Sequence, residues 1–155
     1  MTGIRRLTGH CQCGAIQLVI SGRPLLRAYC HCLICQEFNQ ADFADVTVFR
    51  ARDVSIPNEE RIRYRVYKQP PIVRRGTCAA CGKPAAERLA VPLMPRMTVV
   101  PSSNLIEHEG LPSPAMHIFY HRRKAEATDS LPKYSGFLTS QSRFTLALAL
   151  ALVKG

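Results

Sequence analysis

Seven cysteines, arranged as Cys11-Gln12-Cys13-Gly14, Cys30-His31-Cys32-Leu33-Ile34-Cys35 and Cys78-Ala79-Ala80-Cys81-Gly82, limit what this chain can fold into more than any other feature. Three uses of so much sulfur compete. A disulfide framework requires an oxidising compartment and usually an even count. Here the count is odd, and Met1-Thr2-Gly3-Ile4-Arg5-Arg6 leads into no apolar signal core, so a reduced cytoplasmic setting is expected. Redox catalysis would engage one reactive pair and leave five cysteines without a purpose. Metal binding uses all seven, and closely paired thiols in a reducing compartment are the usual sign of zinc.

Spacing predicts how the sulfur is divided. Two thiolates in C-x-x-C can reach one ion, and a glycine after the second, as at Gly82, permits the tight turn around it. Gly14 after Cys13 hints at a similar turn. A C-x-C and a C-x-x-C together complete a tetrahedral structural zinc on Cys11, Cys13, Cys78 and Cys81. Such a site closes a loop of about 65 residues and contributes folding free energy directly.

Cys30, Cys32 and Cys35 then remain on one short segment with no fourth cysteine. Three protein ligands around one ion is the layout of a catalytic zinc, so two Zn²⁺ per chain are expected. A histidine completing the set would instead close the site; His10, His31, His117 and His121 are candidates, although His31 lies between two ligands and is poorly placed. Three thiolates leave a zinc site with a charge of about −1, which acidifies water weakly. Exchange for another soft ligand, a substrate thiol held as thiolate, suits it better. The expected chemistry is that of thiols rather than of water.

The rest of the chain is read as a single mainly β domain over 1–155. Ala15–Ile20, Val46–Phe49, Arg61–Tyr67, Ile72-Val73, Met97–Val100 and Met116–Tyr120 are short strand candidates, and eleven prolines break up long helices. Phe144 to Val153 is an uncharged run of mostly Leu and Ala, too short to span a bilayer. Leu146, Leu148, Leu150 and Leu152 alternate with the period of a strand, yet Leu and Ala are strong helix formers. This tail is expected to pack on its own core or to form a homodimer, with no membrane attachment. The formal charge of +10 falls to about +7 with seven thiolates and two Zn²⁺, so acidic partners are favoured. Scattered basic residues without stacking aromatics weigh against nucleic acid.

Gly9-His10-Cys11-Gln12-Cys13-Gly14-Ala15-Ile16, Tyr29–Cys35 and Gly76–Gly82 resemble the cysteine motifs of the glutathione-dependent formaldehyde-activating enzyme family, which includes centromere protein V. His117-Ile118-Phe119 and Asp129–Tyr134 extend the resemblance, which covers about residues 7 to 135. It implies a β-tent of small antiparallel sheets with few short helices. It also implies the same zinc partition, with the ion on Cys30, Cys32 and Cys35 catalytic and receiving the sulfur of glutathione. The implied activity is that of a carbon–sulfur lyase, joining glutathione to formaldehyde as S-hydroxymethylglutathione. Arg74, Arg75 and Lys83 are candidates for attracting glutathione carboxylates. Gln36–Gln40 replaces a small Ser-Gly stretch of the family, Ala125-Glu126-Ala127 stands where a Trp is often found, and 136–155 is an apolar extension without a counterpart. Two other functions compete: a non-catalytic zinc-binding module whose basic surface holds an acidic partner, and a thiol-based metal or redox sensor.

Overall fold

The computed structural model describes residues 6–155; Met1–Arg5, which include most of the segment read for a signal core, lie outside the described residues. In chain order the strands are β1 (Leu7–His10), β2 (Gln17–Ile20), β3 (Leu26–Cys30), β4 (Ala44–Arg50), β5 (Val54–Ser55), β6 (Ile62–Arg65), β7 (Val73–Cys78), β8 (Pro84–Leu89), β9 (Met97–Pro101) and β10 (His117–Ile118). Helix α1 (Leu33–Asn39) follows β3, and α2 (Phe137–Lys154) follows the last strand. The described residues are mainly β, in two sheets with few helices, as expected from the pattern.

The smaller sheet has the order β1-β2-β5 and the larger one β10-β3-β4-β9-β8-β7-β6. Pairing is antiparallel except for the two-residue parallel pair between β10 and β3. β4 lies between β3 and β9, and Val46–Phe49 are all buried, with the Thr47 hydroxyl paired to that of Ser102 at 2.8 Å. A strand covered on both faces has no solvent side for polar residues to occupy. Its Phe49 enters the core under the smaller sheet, whereas Val46 and Val48 enter a second core beside α1 and α2.

The ambiguous tail is a helix of 18 residues. Strand-like alternation of Leu and Ala loses here because Leu and Ala fit a helix and no strand edge receives them. Leu148 is fully buried in the second core, whereas Leu138, Leu146, Leu150 and Val153 face outward. Arg23 and Arg50 donate to the carbonyls of Ala151 and Leu152 at the end of α2, where cations oppose the helix dipole favourably. Leu148→Ala should therefore lower stability by about 3 kcal/mol. Leu150→Ala, on the outer face, should change it by less than about 0.5 kcal/mol in the same urea titration. Among the described residues no helix is long and apolar enough to cross a membrane.

Candidate metal centres

Two tight turns, one from each sheet, assemble the first cluster. Cys11 directly follows β1, and the turn into β2 closes when the Gly14 amide donates to Cys11 O at 3.0 Å and the Cys11 amide to Ile16 O at 3.0 Å. Cys78 ends β7, and the Gly82 amide returns to Cys78 O at 2.8 Å. Gly14 and Gly82 have φ of 82° and 73°, in the left-handed region. An added Cβ would meet nothing within 4 Å at either, so glycine is required there by backbone conformation rather than by space. The sequence reading of both glycines therefore has a direct structural cause.

These turns bring the sulfurs of Cys11, Cys13, Cys78 and Cys81 within 4.8 Å of one another. Cys13 Sγ lies 3.6 Å from Cys11 Sγ and 3.7 Å from Cys78 Sγ. Tetrahedral thiolates about 2.3 Å from zinc stand about 3.8 Å apart, close to these spacings. A disulfide would require about 2.05 Å, and all seven cysteines are free thiols. Burial pushes Cys11 up, but the Ile16 amide and the Cys13 and Cys78 sulfurs more than offset it and bring the thiol down to about 7. The donor set, spacing and thiolate stabilisation fit zinc. An ion there would join the two sheets.

The second cluster forms where β3 passes into α1. Cys30 ends β3, Cys32 is the N-cap of α1, and Cys35 lies in its first turn. A sulfur here does the work of a capping hydroxyl: the Cys35 amide donates to Cys32 Sγ at 3.3 Å. The sulfurs of Cys30, Cys32 and Cys35 also lie within 4.8 Å of one another. Hydrogen bonds from Cys30 and Cys35 pull Cys32 down to about 3, while the same contact with Cys32 pushes Cys30 well up. Three thiolates so close cannot all ionise without a cation, and a soft divalent ion would remove that conflict.

No histidine belongs to either ligand group among the described residues. His10 Nδ1 bonds Cys11 O at 2.7 Å. His31 and His117 instead bond each other, Nε2 to Nδ1 at 2.8 Å, and His117 Nε2 meets Asp129 Oδ2 at 2.8 Å. Burial, with His117 beside it, pulls His31 down to about 4, so its ring is neutral at pH 7. This buried chain ties β3 to β10 and to the loop carrying Asp129. The separate motifs around His117 and Asp129 are thereby one structural unit, a link invisible in the sequence because the partners lie far apart in it.

One wall of a cavity of about 620 Å³ is made by Cys30, Cys32 and Cys35. Of the three basic residues expected to meet an anionic substrate, only Arg75 lines it. Arg74 and Lys83 are exposed elsewhere, because Arg74 is one residue away on the opposite face of β7 and Lys83 sits beyond the Cys81 turn. Arg75 is itself nearly buried. Its Nη2 donates to Cys35 Sγ at 3.7 Å, and its Nε lies 3.3 Å from Glu87 Oε1. Burial pushes Glu87 up to about 7 against the pull of Arg75. Gln36, from the segment that departs from the family pattern, donates to the carbonyls of His31 and Arg122 and pins α1 in place.

Arg75→Met should cost about 3 kcal/mol, because it leaves a buried carboxylate unpaired. Without Arg75, Glu87 binds its proton more tightly, so the deficit should be larger at pH 8 than at pH 6, where protonation removes the charge. Adding Glu87→Leu should restore most of the loss. Equal deficits at both pH values in a zinc-saturated thermal titration would contradict this account.

Residues 6–122 match the family described as glutathione-dependent formaldehyde-activating enzyme. The chain belongs to that family. Both cysteine clusters fall within the matched span, whereas α2 lies beyond it. A crystal structure of a Rhodobacter sphaeroides protein is similar, with a TM-score of 0.53 and 15% identity over 83% of this chain and 99% of that one. Likeness at that identity speaks for the fold alone. No curated protein matches the chain.

Proposed function

We propose that the chain is an enzyme that binds a thiol at Cys30, Cys32 and Cys35 and adds it to a small aldehyde, as glutathione adds to formaldehyde in the reaction for which the family is named. The carrying observation is the placement of three clustered sulfurs in the wall of a large cavity, beside a buried guanidinium. The other four cysteines would hold a structural zinc. Zinc bound by Cys30, Cys32 and Cys35 would supply a soft Lewis acid that favours the thiolate form of a substrate thiol.

The chain's own residues do the rest. Arg75 offsets the negative charge that three thiolates and a bound substrate thiolate would accumulate. The apolar part of the cavity wall offers water few partners, which favours addition of sulfur over hydration of the aldehyde. The substrate sulfur forms a bond to the carbonyl carbon, the C=O π pair moves to oxygen, and that oxygen takes a proton to give the hydroxymethyl thioether. At the mouth, His121 Nδ1 accepts the Gly136 amide at 2.8 Å, so a neutral ring presents Nε2–H as a hydrogen-bond donor to that oxygen. The proton the oxygen takes is the one the substrate thiol released, returned through water.

Formaldehyde and thiols also combine without a catalyst, so the rate must be read against that background. Proton exchange spectroscopy should show the zinc-loaded protein accelerating the addition at least tenfold with glutathione or with 2-mercaptoethanol. No acceleration with either thiol would overturn the proposal.

A further inference from the structure

The chemistry of the cavity wall says which thiol fits. Ile72, Leu89 and Val91 line it from the side of the larger sheet, and Phe137, Phe144 and Leu148 line it from α2. Part of this apolar wall thus comes from a helix beyond the family match. The lining contains a single carboxylate, Glu87, and Arg75 already engages it. Exposed cations stand among the lining residues, Arg122 and Lys68, the latter with its Nζ 4.0 Å over the Phe137 ring.

Glutathione carries two carboxylates, an ammonium and two amides. Those seated against Phe137, Phe144 and Leu148 would lose water without gaining a partner. An unbranched apolar body would instead gain about fourfold in affinity per buried methylene. A carboxylate at its far end would find Lys68, over Phe137 at the start of α2, with no fixed carboxylate among the lining residues opposing it.

We propose that the site takes an amphipathic thiol: a hydrocarbon body against α2, sulfur at Cys30, Cys32 and Cys35, and a distal carboxylate at Lys68. This rests on the thiol-binding function proposed above and specifies its substrate class. The size of the cavity, about 620 Å³, accommodates such a body and lies in the range of small-molecule sites.

Isothermal titration of the zinc-loaded full chain with 8-mercaptooctanoate, octanoate and glutathione separates the two claims. 8-Mercaptooctanoate should bind at least tenfold more tightly than glutathione. Lys68→Met and Phe137→Ser, both at exposed positions, should each weaken it about three- to fivefold. Glutathione binding as tightly or more tightly, or binding by none of the three, would overturn the amphipathic assignment. Octanoate is the same molecule without sulfur. If it binds as tightly as 8-mercaptooctanoate while both exceed glutathione, the apolar preference stands and the thiol-binding function falls.

Discussion

The Cys78→Ser variant is expected to lose one zinc per chain and, with it, the cooperative thermal transition. Cys78 lies at the end of β7 in the larger sheet, while Cys11 and Cys13 flank the turn leaving β1 in the smaller one. Near this point β1 is also tied to the segment that follows β9, through the Gly9–Leu105 bridge and the Ile106 amide donating to Thr8 O at 2.9 Å. An ion held by all four sulfurs would thus replace a long stretch of chain-closure entropy with direct bonds. Losing one ligand from such a site costs on the order of 5 kcal/mol, comparable to the whole stability of many domains. Serine cannot rescue it, because a hydroxyl stays protonated at neutral pH and is a poor zinc ligand. Native mass spectrometry and a circular dichroism melt check the result. A variant with unchanged melting and unchanged metal content would remove the structural role from this cluster.

Cys32→Ser should do the opposite: keep the fold and abolish thiol binding. Serine is a favoured N-cap, so the bond that Cys32 Sγ accepts from the Cys35 amide has a replacement, and α1 should persist. The remaining two sulfurs hold an ion far more weakly than three. We expect one zinc per chain instead of two, a melting temperature within a few degrees of the parent, and at least a hundredfold loss in the rate of thiol addition. The contrast with Cys78→Ser is what separates an enzyme from a binding module. If both clusters were purely structural, the two variants would unfold equally, and binding of an acidic partner would weaken steeply with salt.

Several strands were legible because their patterns are local. Gln17–Ile20, Ala44–Arg50, Ile62–Arg65 and Met97–Pro101 each fall on an apolar or alternating run. β8 was not legible: Pro84-Ala85-Ala86-Glu87-Arg88-Leu89 has weak strand propensity and is held extended by β7 and β9 on either side. α1 was hidden for a different reason. It has only 7 residues and its N-cap is a cysteine, which no capping rule expects.

The division of sulfur into a group of four and a group of three came from the sequence by itself, because ligand reach within a C-x-C or C-x-x-C is set by a few backbone angles, and glycine marks where those angles must turn. The tertiary structure alone decided what surrounds the group of three. Arg75 reaches Cys35 across 40 positions, His31 reaches His117 across 86, and α2 supplies a cavity wall from the far end of the chain. Such contacts depend on strand order and helix docking, which no short-range pattern of residue types encodes.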